Sequence, residues 1–118
     1  MKSLLAGAFL FLASSIASAQ FGDNFAPLVQ VTSTTERTTM TFTDGNGFND
    51  LNLNTFVIRV NGVPRTDDVL GFIIAGAAQI QLIENGFQII VPGDWRHLGI
   101  FAQIRDSEGN RGNDTNQN

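Results

Sequence analysis

The sequence predicts an all-β domain, an antiparallel sandwich or barrel of about seven strands. Three observations predict it. Apolar and polar residues alternate over several short segments, most clearly along Leu98-Gly99-Ile100-Phe101-Ala102-Gln103-Ile104-Arg105. Turn-forming groups recur between those segments: Asn61-Gly62, Asn85-Gly86, Pro92-Gly93-Asp94 and Asp106-Ser107-Glu108-Gly109-Asn110. No stretch shows the period of about 3.6 residues that marks an amphipathic helix.

The chain of 118 residues begins with the positive segment Met1-Lys2-Ser3, followed by an apolar run from Leu4 to Ala13 and the small residues Ala17-Ser18-Ala19. That order is a secretory signal peptide over residues 1–19, with cleavage before Gln20. The apolar run is well short of the roughly 20 residues that span a bilayer, and no later stretch reaches that length. The mature protein is therefore expected to be secreted or periplasmic, with no membrane contact after cleavage. It has no Cys, so packing alone must hold it and thiolate metal sites are excluded. Cleavage removes the only Lys and leaves six Arg against eleven acidic residues. An acidic balance of this kind, with a pI near 4.6, argues against nucleic acid as a partner, which needs a basic patch.

Residues 20–25 read as a lead-in to a domain over 26–110. Pro27, which lacks an N–H, suits the start of a first strand from Leu28 to Thr32. Ser33 to Arg37 is a polar turn. Thr38 to Thr43 alternates, with Met40 and Phe42 inward and a threonine face outward, where β-branching is favourable. Asp44 to Asn54 is the longest loop. Thr55 to Val60 is a central strand with Phe56, Ile58 and Val60 on one face, and Asn61-Gly62 closes a hairpin. Val69-Leu70-Gly71-Phe72-Ile73-Ile74 is a continuous apolar run whose β-branched content and neighbouring glycines predict a strand. Gln79 to Ile83 alternates again, Asn85-Gly86 marks a second hairpin, and Phe87 to Val91 answers it. The last strand carries Leu98, Ile100, Ala102 and Ile104 to the core. Asp106 shares their parity and is expected to turn inward and accept hydrogen bonds from backbone N–H groups of the closing turn. Residues 111–118 contain no apolar residue and are expected to form a disordered polar tail.

The pattern Leu98-x-Ile100-x-Ala102-x-Ile104-x-Asp106-x-x-Gly109-Asn110 resembles the last strand of bacterial immunoglobulin-like and cadherin-like modules. Thr41-Phe42-Thr43-Asp44-x-x-Gly47 is similar to their second strand and its turn, and Phe56-x-Ile58-x-Val60-Asn61-Gly62 to their third strand and hairpin. The resemblance covers most of residues 26–110. It implies an immunoglobulin-like sandwich of two packed sheets. It also implies a structural, adhesion or interaction role outside the cell, with another protein or a surface glycan as partner.

Two groups of residues are candidates for chemistry. Asp44, Asn46, Asp50, Asp106 and Asn110 are hard oxygen donors in turns, the type of ligand that Ca²⁺ collects six to eight of. If the loop after the second strand and the final turn share one end of the sandwich, these residues converge. The plainer reading, and the favoured one, is that each Asp or Asn caps its own turn. Trp95 beside Arg96 could stack on a sugar ring, although a lone Trp more often closes the end of a core. His97 is the only His, and neither Ser33 nor Ser107 sits in a Gly-x-Ser-x-Gly elbow, so a non-catalytic protein is expected.

Overall fold

The computed structural model describes residues 26–117; the signal peptide and lead-in assigned to 1–25 lie outside the described residues. Eight strands and one helix follow in order: β1 Leu28–Ser33, β2 Arg37–Thr43, β3 Leu51–Val60, β4 Val63–Pro64, α1 Thr66–Ile74, β5 Gln79–Ile83, β6 Gly86–Pro92, β7 Ile100–Asp106 and β8 Arg111–Thr115. They make two four-stranded antiparallel sheets, ordered β1-β2-β6-β5 and β4-β3-β7-β8. Their inward faces pack as a β-sandwich, an arrangement compatible with the immunoglobulin-like class. Among the described residues no helix is long and apolar enough to cross a membrane.

The core follows the alternation read from the sequence. Met40 and Phe42 on β2 stand beside Ile89 and Phe87 on β6 in register, and Phe56 and Ile58 on β3 face them from the other sheet. Along β7 every second residue is buried: Ile100, Ala102, Ile104 and then Asp106. Phe87 is the hub of an aromatic cluster, with ring centroids 4.8 Å from Phe42 and 6.3 Å from both Phe48 and Phe56.

Four expectations are corrected. The loop assigned to Asp44–Asn54 ends early, because Leu51 to Asn54 already belong to β3. The pairing of β3 with β7 slips between Asn52 and Val57, and the Arg105 N–H donates to Thr55 Oγ1 (2.9 Å) inside that irregularity. Val69–Ile74 is helix, not strand. The helix begins three residues earlier than the apolar run, and Asp67 and Asp68 lie in its first turn, where negative charge meets the positive end of the helix dipole. Thr66 Oγ1 accepts the Ile58 N–H at 2.9 Å and fixes the helix to β3. Val69 and Leu70 are buried, while Phe72 and Ile74 are exposed. Gly76, at φ 81°, stops the helix: its N–H donates to the Ile73 carbonyl, and the Ala77 N–H to that of Phe72, a Schellman closure.

The second hairpin is present but turns one residue earlier than Asn85-Gly86 suggests. Ile83 pairs with Gly86, so Glu84-Asn85 form the loop and Gly86 opens β6. Glycine is required there by close approach: a Cβ at Gly86 would lie 1.8 Å from the Phe42 carbonyl oxygen. Finally, residues 111–115 form β8 rather than a loose tail. They pair with β7 from Phe101↔Thr115 to Arg105↔Arg111. Polar side chains fasten this segment to the other sheet. Asp114 Oδ2 accepts the Val31 N–H at 2.8 Å, and Asn116 Nδ2 donates to Ser33 Oγ at 2.7 Å. Asp114→Ala should therefore loosen the β1–β8 seam. The expected loss is about 1.5–3 kcal/mol, the worth of a hydrogen bond to a charged group, with faster hydrogen exchange at the Val31 amide as the local signature.

Candidate metal centre

One end of the sandwich gathers three acidic residues from three separate segments. Asp44 follows β2, and its backbone N–H donates to the Asn85 carbonyl (3.0 Å), which ties it to the β5–β6 hairpin. Its Oδ1 accepts the Asn46 N–H at 2.8 Å, an Asx turn that bends the chain toward the next element. A single 3₁₀ turn over Phe48–Asp50 then buries Phe48 against Phe87 and delivers Asp50 to the start of β3. Asp106 ends β7, and its register partner is Leu51, the residue after Asp50. Strand pairing thus brings Asp50 and Asp106 together, and the end of β2 supplies Asp44.

The three carboxylates each place one oxygen within 4.8 Å of the others, and the three residues are only 2%, 6% and 1% exposed for Asp44, Asp50 and Asp106. Their hydrogen bonds come both from their own turns and from across the sandwich end. Asp106 Oδ1 accepts the N–H groups of Glu108 (3.0 Å) and Asn110 (2.8 Å), and its Oδ2 accepts Asn110 Nδ2 (3.0 Å), as the parity of β7 predicts. Ser107 Oγ donates to Asp50 Oδ1, and the Ser107 N–H donates to the Asp50 carbonyl. Asp50 Oδ2 is fully enclosed and has no hydrogen-bond partner among the described residues. None of the three ion pairs among the described residues reaches Asp50 or Asp106. With all three groups ionised, oxygens within 4.8 Å of one another repel by about 3 kcal/mol or more per pair at an effective dielectric constant of about 20. A divalent cation between the three oxygens would offset that repulsion.

The donor set consists of oxygens alone, and it fits a hard cation rather than zinc, which favours nitrogen and sulfur. Of the five candidate calcium ligands, Asp44, Asp50 and Asp106 come together. Asn46 and Asn110 are half-buried at the rim, the first hydrogen-bonded through its backbone to Asp44 and the second through backbone and side chain to Asp106. Turn capping and convergence therefore coexist in the same residues. Ser107, weighed in the sequence only as a nucleophile, is not among the ligand candidates; its position inside the Asp106-x-x-Gly109 turn, facing the loop of Asp50, is what gives it a role.

Trp95 and Arg96 lie at the opposite end, on the connection between β6 and β7. The Trp95 indole Nε1 donates to the Pro92 carbonyl at 2.8 Å and the ring packs on the core edge. There it walls an apolar cavity of about 260 Å³ together with Met40, Ile58, Phe72 and Ile100. Arg96 grips Asp94 with two hydrogen bonds, Nε to Oδ1 at 2.9 Å and Nη2 to Oδ2 at 2.8 Å. That hydrogen-bonded guanidinium lowers the Asp94 carboxyl from the usual 3.8 to about 2, and Asp94 in turn raises Arg96.

No protein-family model, curated protein or solved structure matches the chain.

Proposed function

We propose that this protein is an exported, non-catalytic immunoglobulin-like module with a structural or adhesive role, and that a calcium ion bound by Asp44, Asp50 and Asp106 stiffens one end of it. The observation that carries the metal part is the enclosed Oδ2 of Asp50, without a hydrogen-bond partner among the described residues, in a cluster of three buried carboxylates. The signal-like start of the sequence and the acidic, cysteine-free composition support export. The β-sandwich supports a scaffold role.

Calcium would offset two of the three negative charges of the cluster and tie the β2–β3 loop to the β7–β8 turn. Asn46 and Asn110 would brace Asp44 and Asp106 from the rim. The test is a melting curve in chelator and in calcium, with magnesium alongside. Calcium at about 100 times its Kd should add about 2.7 kcal/mol. For a domain of this size that is about 10–20 °C in Tm. Magnesium, which demands a smaller octahedral shell and sheds water reluctantly, should do less. Asp50→Asn keeps the shape and removes the charge, and it should abolish the calcium shift. Identical melting in calcium and chelator, with no heat on calorimetric titration, would overturn the metal reading.

A further inference from the structure

A two-sheet sandwich has four edge strands, here β1 and β5 of one sheet and β4 and β8 of the other. Each edge carries unpaired backbone N–H and C=O groups that can template another chain, and folded proteins commonly block them. Three of the four are blocked. β1 and β8 close on each other through the Val31–Asp114 bond, and the Pro27 carbonyl approaches so near to Gly112 that a Cβ there would lie 2.0 Å from its oxygen. β4 is two residues long and one of them is Pro64.

β5 has none of these guards. Gln79-Ile80-Gln81-Leu82-Ile83 contains no charge, no proline and no register slip against its one strand neighbour, β6. Its two-residue hairpin makes Ile83 and Gly86 the hydrogen-bonded pair, and alternation along the ladder then turns the backbone groups of Ile80 and Leu82 outward. Gln79 and Gln81 are exposed, while Ile80 and Leu82 face the core.

We infer that β5 is a self-association edge, which pairs antiparallel with β5 of a second copy of this chain about a two-fold axis at Gln81. The register is self-complementary. Centring on Gln81 sets Ile80 against Leu82 of the other copy, the two residues whose backbone groups point outward, and keeps apolar side chains on one face. It sets Gln81 against Gln81, a non-hydrogen-bonded position where side chains approach closely. On this face Gln81 Nε2 donates to Gln88 Oε1 at 2.9 Å and Gln88 Nε2 donates to Thr41 Oγ1 at 3.1 Å. The row uses one N–H of Gln81 and leaves its other N–H and its carbonyl oxygen for a reciprocal amide pair across the axis. Glu84, the nearest charge, would fall opposite Ala78, so no like charges meet. Two five-residue strands bury less than a standard stable interface of about 1,200 Å² or more, so the dimer is weak and concentration-dependent.

The test is sedimentation equilibrium of the protein over a wide concentration range, alone and as Gln81→Lys and Gln81→Glu variants. Gln81 is exposed, so both variants should keep the fold of the parent, with a melting temperature close to its own at concentrations where the parent is monomeric. The parent should show a monomer–dimer equilibrium. Each variant, with like charges meeting at the axis, should stay monomeric, and an equimolar mixture of the two should dimerise again. A parent that is monomeric throughout, a dimer that persists in both variants, or variants that keep their fold but are not rescued by mixing would each overturn the proposal.

Discussion

Replacing Phe87 by alanine is expected to cost about 3–5 kcal/mol and to lower the melting temperature by tens of degrees. Phe87 has no exposed surface, and its ring touches aromatic neighbours from three other parts of the chain: Phe42 on β2, Phe56 on β3 and Phe48 in the 3₁₀ turn. Removing it leaves a cavity between the sheets that strand backbones cannot close, and it also loses edge-on and tilted ring contacts worth about 0.5–1.5 kcal/mol each. The domain has no disulfide to limit its unfolded state, and domains of this size have only about 5–15 kcal/mol in total. Calorimetry should therefore find the alanine variant close to unfolded at room temperature. Phe87→Leu, which refills most of the volume, should fall between it and the parent. A loss of only a few degrees in the alanine variant would show that this cluster does not hold the sheets together.

Asp106→Ala is the second large effect expected, about 2–4 kcal/mol, from a residue that makes no apolar contribution. Its carboxylate accepts three hydrogen bonds from Glu108 and Asn110 and shapes the turn through which β7 passes into β8. Without it those donors lose a charged acceptor, and the pairing that carries residues 111–115 weakens with the turn. Asp106→Asn separates the two duties of this side chain. It retains an acceptor oxygen for the backbone N–H groups, so in chelator it should melt above the alanine variant. It lacks the charge for a cation, so its calcium shift should be much reduced. Equal melting of the alanine variant and the parent in chelator would remove the turn-locking role. A full calcium shift in the asparagine variant would remove Asp106 from the ligand set.

The parts of this fold that could be read from sequence are those in which burial alternates along one strand. β7, β2 and the second half of β3 announce themselves because every second residue meets a dry surface. Val69–Ile74 does not, because an unbroken apolar run has no period. The informative residues lay outside it, in Asp67-Asp68 at the helix start and Gly76 just past its end. β8 was illegible for a different reason. Arg111-Gly112-Asn113-Asp114-Thr115 is held by ladder hydrogen bonds and by polar side chains reaching another strand, and neither leaves a trace in hydropathy. For the candidate centre, the inward parity of Asp106 was visible and so were its backbone partners. The convergence of Asp44 and Asp50 upon it required the register that pairs Leu51 with Asp106, which no local pattern specifies.

The bond between Val31 and Asp114 joins residues 83 positions apart, the first strand of the domain to its last. Of the eight strands, β1 leaves the ribosome first and β8 last. Until β8 arrives, the outer edges of both β1 and β7 stand bare, and the two halves have no clasp on that side. Such long-range closure places the domain among slow folders, with times in the millisecond-to-second range typical of sandwiches. The same order of events makes the nascent chain vulnerable: an interruption just before residue 111 would leave a domain with most of its apolar core and, besides β5, two more unguarded edges, β1 and β7.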